Sequence, residues 1–354
     1  MDTSMTARAK ISFFLFFIAL TVSFRKNTPT SKCRVMRTFS VIAPDLVVTP
    51  PTEDLRRVSQ MLSFIEPSTG VVVKLVGAMH YNPTSVALAY STCNELAERS
   101  CLGSVIVESC PQRWNKTLIS QPEGSLLRKV FDNEMQAAAE VAMRYGLPVV
   151  LGDQDISITN QRMQQTFKQS IGDLLTPWKG GWNNLYKDIS LAYTETLPSG
   201  SAFLGPSDFL NWRLLITTPI SLFRYPLSFI VKAPVFGIPV VLGLLFSSFS
   251  DFSGDSTLIE VTSLERIQEI LTSALIFGLE TSIFARVFLI SLLAERNDIL
   301  AANILSECRR IARAKKDNEG EVSSPKVVVA ILGMAHCNGI LNILSPSPSS
   351  SSDK

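Results

Sequence analysis

The chain has 354 residues, and 46% of them are apolar, so it is long enough to bury a sizeable hydrophobic core. Its formal net charge is +2, but residues 1–44 contain seven basic residues and a single acidic one, which leaves the remainder mildly acidic. Because phosphate binding needs clustered positive charge, this composition argues against a nucleic-acid partner.

Residues 1–44 are predicted to be a targeting leader that lies outside the fold. A short basic start precedes an apolar run over residues 11–24, and a basic stretch rich in serine and threonine follows over residues 25–40. The apolar run is shorter than the roughly 20 residues that a membrane-spanning helix needs. The composition favours an organelle transit peptide, with a plastid preferred to a mitochondrion. The alternative is a secretory signal or an endomembrane anchor.

Residues 45–344 are predicted to form one domain in which strands alternate with helices. Runs of β-branched residues predict the strands, and helical spacing of apolar residues predicts the helices. The strands are expected over residues 71–76, 104–108 and 147–152, and the helices over residues 53–64, 82–100 and 126–145. This alternation indicates an α/β fold with a mixed, partly parallel β-sheet covered by helices.

The second half of this domain carries a hydrophobic helical insertion over about residues 209–251. Its most apolar part is 214–249, and the uncharged run 233–250 has a length at the threshold for crossing a bilayer. A buried or interfacial helical hairpin and a spanning segment are the two alternatives, and the second makes a membrane a candidate partner. The flanking elements are predicted as a helix from 159 or 160 to 175, a loop over 178–208, a helix over 281–314, a strand over 326–332 and a disordered tail over 345–354.

The chain contains only two histidines, His80 and His336, and both have the same local context. Each follows by three residues a glycine that ends a buried strand, Gly77 or Gly333, and an asparagine comes two residues later. Loops at the carboxyl ends of parallel strands are where α/β folds collect ligands, and glycine permits a close approach there. The two histidines are therefore predicted to face one crevice, although either alone could be a hydrogen-bonded core residue.

Carboxylates end two further strands and complete a candidate metal site. Glu108 closes the second strand, and Asp153 follows the third, with Asp155 just beyond it. Two imidazoles and carboxylates can hold a divalent ion such as manganese, cobalt or zinc and leave a position open for water or substrate. His80, His336, Glu108 and Asp153 are thus predicted to bind the metal, with Glu108 between the histidines and Asp153 at the edge. The alternative for each carboxylate is a solvated or capping role.

Six cysteines are spread over the chain without a C-x-x-C pair. They form neither a recognisable disulfide framework nor a thiolate zinc site, so we expect them to be reduced and mostly buried. A nucleophilic Cys110 or Cys337 beside a histidine is the functional alternative.

Five motifs occur in order between residues 71 and 340. They are strand-G-x-x-H at 71–80, Glu-x-Cys-x-x-Arg at 108–113, Leu-Gly-Asp followed by Ile-Thr-x-x-Arg within 151–162, Glu-Arg-Asn-Asp at 295–298, and G-x-x-H-x-x-Gly-Ile at 333–340. In this order the motifs resemble those of the TraB family and the related Tiki proteins, which are grouped with erythromycin-esterase-like folds. Two residues depart from the family pattern: Ser109 replaces the usual leucine, and Gln154 replaces a common arginine.

The resemblance implies a mixed sheet packed by helices. For Tiki proteins it also implies metal-dependent peptide cleavage that needs both G-x-x-H histidines and the strand-end glutamate. In this chain it makes His80, His336 and Glu108 ligand or general-base candidates, and it adds as polar supports Arg113, Arg162, Glu295 and Arg296. Arg113 and Arg296 could clamp a substrate carboxylate or stabilise an oxyanion, or they could form buried ion pairs with Glu108 or Glu295.

Two functions of different classes follow from these predictions. The first is a divalent-metal-dependent hydrolase, such as a peptidase, in which the metal lowers the pKa of water and Glu108 accepts the proton. Its substrate would be a peptide or a small molecule. The second is a non-catalytic organelle protein that binds a partner or tethers a membrane through residues 214–249.

Overall fold

The structure is a computed structural model that describes residues 60–198, 200, 202–232, 263–317 and 325–345. Three predictions fall largely outside the described residues, namely the leader over 1–44, the uncharged run over 233–250 and the tail over 345–354. The chain divides into two compact units. The described residues of one unit are 157–189, 226–232 and 263–291, and the other unit contains the remaining described residues, including the whole sheet.

Five strands form the sheet: β1 (Met61–Ile65), β2 (Val72–Ala78), β3 (Leu102–Val107), β4 (Val149–Leu151) and β5 (Val327–Gly333). Their order is β1-β2-β5-β3-β4. β1 pairs with β2 in the antiparallel sense, and the other three pairs are parallel. The predicted α/β fold with a mixed, partly parallel sheet is therefore confirmed.

The C-terminal strand β5 lies in the middle of the sheet because both of its faces are apolar. Strands that are buried on both faces need continuous apolar runs, and residues 327–332 provide one. Alternate side chains of this run pack into two different apolar clusters, Val328, Ala330 and Leu332 into one, and Val327, Val329 and Ile331 into the other. β5, near the C-terminal end of the domain sequence, thereby pairs with β2, near its N-terminal end.

Eleven α-helices account for most of the other described residues. They are α1 (Pro83–Glu98), α2 (Pro111–Ser120), α3 (Leu126–Val130), α4 (Glu134–Arg144), α5 (Ile156–Leu175), α6 (Gly181–Thr196), α7 (Pro206–Phe209), α8 (Trp212–Lys232), α9 (Ser263–Arg286), α10 (Glu295–Asp317) and α11 (Met334–Leu344). A π-helical segment, Val287–Ala294, joins α9 to α10. The predicted helix over 126–145 is thus divided into α3 and α4, and α11 follows β5 directly.

The described part of the predicted helix over 53–64 is the strand β1, so this prediction was wrong there. The Glu66 carboxylate holds the turn between β1 and β2, because it accepts hydrogen bonds from the backbone N–H groups of Ser68 and Thr69 at 3.0 and 2.8 Å. Gly70 has a φ of 69°, a left-handed conformation that glycine adopts without steric cost. Cross-strand pairing with β2 therefore outweighs the local helical spacing.

The predicted loop over 178–208 contains the 16-residue helix α6, so this prediction was also wrong. Gly180, with a φ of 81°, ends a short 3-10 turn and lets the chain enter α6 at the next residue. Leu185 and Ala192 are both buried and lie two turns apart on one face of the helix. The glycine-, serine- and aromatic-rich composition concealed this apolar spacing.

The predicted helix over 281–314 is part of a longer helical stretch that runs from α9 through the π-helical segment into α10. Within the described residues, Ile270–Asp317 is the one helical stretch that is long and apolar enough to cross a membrane. The predicted insertion over about 209–251 begins with α8, which is helical as expected.

Candidate functional site

The residues predicted to form the site follow the carboxyl ends of four neighbouring parallel strands. His80 comes after β2, His336 lies in the first turn of α11 after β5, Glu108 comes after β3 and Asp153 after β4. Because such strand ends share one edge of the sheet, the four side chains are brought to the same region. The strand order differs from the expected one, since the strand that leads to His336, rather than Glu108, is central.

Both histidines and Glu108 approach one point beside Gly333. A side-chain carbon added to Gly333 would lie 3.3 Å from Glu108 Oε2, 3.4 Å from His80 Nε2 and 3.7 Å from His336 Cδ2. The backbone N–H of Gly333 also donates a 2.6 Å hydrogen bond to Glu108 Oε2. The absence of a side chain at Gly333 therefore leaves room for these three groups to approach one another.

The Nδ1 atom of each imidazole is held by a neighbouring side chain. His80 Nδ1 lies 2.6 Å from Glu134 Oε1, and His336 Nδ1 lies 2.6 Å from Asn297 Oδ1. The other Glu134 oxygen accepts a hydrogen bond from the backbone N–H of Tyr81 at 3.2 Å. Tyr81 has a φ of 61°, an uncommon conformation for a residue with a side chain and one that clusters at functional sites.

Sequence reasoning did not identify Glu134 or Asn297 as functional residues. Glu134 is the first residue of α4 and is almost fully buried, although most first-turn glutamates are solvated. Asn297 belongs to the Glu-Arg-Asn-Asp motif, of which the family resemblance points only to Glu295 and Arg296 as site residues. The motif was the one available signal for Asn297, and no local pattern indicated Glu134.

The strand-end carboxylates form a buried ion-pair network with two arginines. Arg296 bonds to Glu108 Oε1 and to both oxygens of Asp153, the latter at 2.8 and 2.9 Å. Arg113 pairs with Asp153, and its Nη2 atom lies 3.4 Å from the Glu108 carbonyl oxygen. Both Asp153 oxygens are thus bound by arginine, which is the arrangement expected of an ion-pair partner.

The two remaining residues that the resemblance gives as polar supports of the site are Arg162 and Glu295. Arg162 lies in α5, within the unit that does not contain the sheet, and donates a 3.3 Å hydrogen bond to Gln165 Oε1. Glu295 is half-buried at the start of α10. Asp155, just beyond Asp153, accepts a hydrogen bond from Gln112.

The charges around the site favour an ionised Glu108. Burial raises the pKa of Glu108, but the charges of His336 and Arg296 outweigh this effect and hold the pKa well below its usual range. Burial lowers the pKa of His80, but the hydrogen bond and charge of Glu134 outweigh it and raise the pKa. Glu108 is therefore an anion at neutral pH, in a position to bind a cation.

The five described cysteines are free and buried. Burial raises the pKa of Cys93 to about 12, and burial together with the charge of Glu108 raises the pKa of Cys337. A nucleophilic cysteine needs a lowered pKa and solvent access. These surroundings argue against a nucleophilic Cys337, and Cys110 has no exposed surface either.

We expect the described cysteines to resist alkylation by iodoacetamide at pH 8 in the native protein. Their thiols are shielded from solvent, and for Cys93 and Cys308 the pKa is about 12, so little thiolate is present. Mass spectrometry of tryptic peptides would locate each adduct, and the same reaction in guanidinium chloride is the control. Rapid native alkylation of Cys110 or Cys337 would revive the nucleophile hypothesis.

A comparison with protein-family models found no match, and a comparison with curated proteins found none either. The resemblance to the TraB family therefore depends on the five ordered motifs. Each of the five contributes a residue to the cluster described above, namely His80, Glu108, Asp153, Arg296 and His336.

Proposed function

We propose that the protein is a divalent-metal-dependent hydrolase whose site is built from His80, His336 and Glu108. The observation that carries the proposal is the approach of both imidazoles and the Glu108 carboxylate to one point beside Gly333. These are the only two histidines of the chain, and they come from motifs more than 250 residues apart. A purely structural role for both would not require them to meet.

The side chains of this cluster have the donor chemistry that a divalent metal ion needs. Both rings are held through Nδ1 by outer partners, Glu134 and Asn297, as is usual for metal-binding histidines. The described residues contain no group of three or more His, Cys, Asp or Glu side chains already arranged to hold an ion. A carboxylate offers about four lone-pair positions, so Glu108 can bind a cation and keep its bonds to Arg296 and Gly333.

The distance between His336 and Glu108 supports the same assignment. His336 Nδ1 bonds to Asn297 Oδ1 and so carries a proton, and Nε2 lies 3.4 Å from Glu108 Oε1. Nε2 carries a second proton in the charged ring that lowers the pKa of Glu108, and it is an acceptor in the neutral ring. Two acceptors this close repel each other unless a proton or a cation lies between them. His80, His336 and Glu108 would hold the ion, and manganese, cobalt and zinc all accept this set of ligands.

The surrounding residues have the chemistry that hydrolysis requires. When bound, the ion would act as a Lewis acid and lower the pKa of water towards neutrality. Glu108 would accept a proton from the attacking water. Arg296 and Asp153 would position Glu108, and the partly exposed Arg113 would stabilise a substrate carboxylate or a developing oxyanion.

The resemblance to Tiki proteins supports a peptide as the substrate, with another small molecule as the alternative. The paired G-x-x-H histidines and the strand-end glutamate, which that resemblance makes essential, are all present. Ser109 and Gln154 depart from the family pattern and leave these three residues in place. The composition of residues 1–44 supports a plastid as the place where the hydrolase acts.

Metal analysis of the purified full-length chain tests this proposal. We expect about one divalent ion per chain, and we expect His80→Ala and His336→Ala each to lose it, because each removes one ligand. Inductively coupled plasma mass spectrometry would measure the bound metal. Hydrolysis of a fluorogenic peptide library should stop when the metal is removed and return when it is restored.

Tyr90→Ala is a suitable control because it removes an exposed ring from α1, outside the cluster. This variant should keep the metal, and circular dichroism should show that all three variants are folded. A folded wild-type chain that binds no divalent ion, with or without peptide hydrolysis, would contradict the proposed metal dependence.

A further inference from the structure

From residue 270 onwards, the helix α9 exposes apolar side chains around most of its circumference. Between residues 270 and 284, Thr272 and Thr281 are the only exposed polar residues, and no exposed residue is charged. Glu280, the single charged residue of this stretch, is half-buried. The exposed side chains include Ile270, Leu271, Leu275, Phe277 and Phe284, with Phe277 68% exposed. Soluble monomeric proteins rarely expose a contiguous apolar surface of this kind.

The arginine at the C-terminal end of α9 is turned away from solvent and neutralised. Arg286, at the C-terminal end of the helix, has no exposed surface. Its Nη1 atom lies 2.6 Å from Asp173 Oδ2, and its Nη2 atom contacts Asp188. Arginines in apolar surroundings are tolerated when they face the protein interior and are paired. These contacts also place the Arg286 end of α9 beside the last turn of α5 and the middle of α6.

The turn between α5 and α6 and the first half of α6 carry exposed aromatic and basic side chains. Trp178 and Tyr186 are 76% and 72% exposed, and Trp182, which is 54% exposed, lies one turn before Tyr186 in α6. Lys179 and Lys187, which directly follow Trp178 and Tyr186, are also exposed. Tryptophan, tyrosine and lysine are enriched where a protein crosses the boundary between lipid headgroups and hydrocarbon. The segment that pairs with the Arg286 end of α9 therefore carries side chains of the kind found at a membrane interface.

The apolar part of α9 is long enough to reach most of the way across the hydrocarbon core of a bilayer, and the run 233–250 earlier in the chain is also apolar. Residues 263–269 of α9 include Glu265, Arg266 and Glu269, so its apolar part is 270–285, which has 16 residues and is roughly 24 Å long, compared with about 30 Å for a hydrocarbon core. The preceding run 233–250 contains no charged residue. The polar side chains of that run are those of Ser247, Ser248 and Ser250, so if it covered α9, most of the side chains that it turned towards water would be apolar.

We propose that α9 inserts into a lipid bilayer, with Trp178, Trp182 and Tyr186 at the interface. This unit then anchors the protein to a membrane by a segment different from the 214–249 stretch of the sequence prediction. The inference is independent of the metal site, because none of these residues belongs to the cluster around Gly333.

Fluorescence quenching of the full-length chain in vesicles tests the insertion. Phe277→Cys and Gln165→Cys would be made separately in a Cys33→Ser background and labelled with the dye NBD, and both replaced residues are exposed. The five buried cysteines should remain unlabelled in the folded protein. The vesicles would contain equal amounts of phosphatidylcholine and phosphatidylglycerol. Gln165 lies on the polar face of α5 and serves as the matched control.

We expect the dye at position 277 to be quenched by doxyl groups on the lipid acyl chains and to be protected from aqueous iodide. The dye at position 165 should show the opposite behaviour. Iodide quenching at both positions would overturn the proposal, even if the leader held the protein on the vesicle. Protection from both quenchers at position 277 would also overturn it, because another part of the chain or a second copy would then cover α9.

Discussion

Arg296→Met is expected to destabilise the folded protein by about 3–5 kcal/mol, because it leaves the buried Glu108 carboxylate without its guanidinium partner and leaves Asp153 paired with Arg113 alone. The side chains of Glu108 and Asp153 are 4% and 1% exposed, and Arg296 bonds to both. Methionine keeps an apolar stem of similar length, so the loss would report mainly on the missing charge. Urea denaturation would measure the free energy of unfolding. A chelator should be present so that no metal ion replaces the guanidinium.

Arg310→Met provides a matched control, since it makes the same change in the same helix. The Arg310 side chain is 48% exposed and pairs with Glu307, so its loss should cost no more than about 1 kcal/mol. Equal destabilisation by the two variants would contradict the importance of the buried network. If the cluster binds metal, replacing the chelator with manganese or zinc should restore part of the stability that Arg296→Met loses.

The α/β class could be predicted from the sequence because periodicity and β-branched runs are local signals. The runs that form β2, β3 and β5 are short and apolar, and glycine or glutamate ends each of them. The position of β5 between β2 and β3 could not be predicted, because residues more than 200 positions apart pair there. Strand order is decided by long-range pairing and packing, and no local pattern records it.

The two incorrect element predictions have the same kind of cause. Residues 61–64 have apolar spacing that fits a helix, but pairing with β2 satisfies their backbone hydrogen bonds in a strand. Residues 181–196 have a composition typical of a loop, but Leu185 and Ala192 lie on one helix face and become buried. In both cases a contact with a distant part of the chain outweighed the local preference.

For the candidate site, the sequence indicated the strand-end residues but not their neighbours. His80, His336 and Glu108 follow recognisable strand ends, so their proximity could be inferred from the rule that ligands gather there. Asp153 satisfies the same rule, yet Arg296 and Arg113 bind both of its oxygens. A strand-end carboxylate has the same sequence pattern whether it binds a metal or an arginine, and only the fold distinguishes the two.

The second large effect concerns Glu134, whose contact with His80 no sequence pattern indicated. We expect Glu134→Gln to weaken divalent-metal binding by about 10–100-fold, the usual effect of losing an outer partner of a metal-binding histidine. The carboxylate now holds His80 Nδ1 at 2.6 Å and accepts the Tyr81 N–H. Glutamine has nearly the same shape but lacks the charge, and its amide nitrogen cannot accept a second hydrogen bond. Calorimetric titration of the metal-free full-length chain would measure the dissociation constant.

Glu140→Gln makes the same chemical change in the same helix and is the matched control. Glu140 pairs with Arg128 and lies outside the His80 contact, so this variant should keep the wild-type dissociation constant. Equal weakening in both variants would assign the effect to α4 as a whole, and unchanged affinity in Glu134→Gln would argue that His80 is not a ligand. Selective weakening by Glu134→Gln would instead show that the buried glutamate orients His80 towards the metal, because the two variants differ only in which contact they remove.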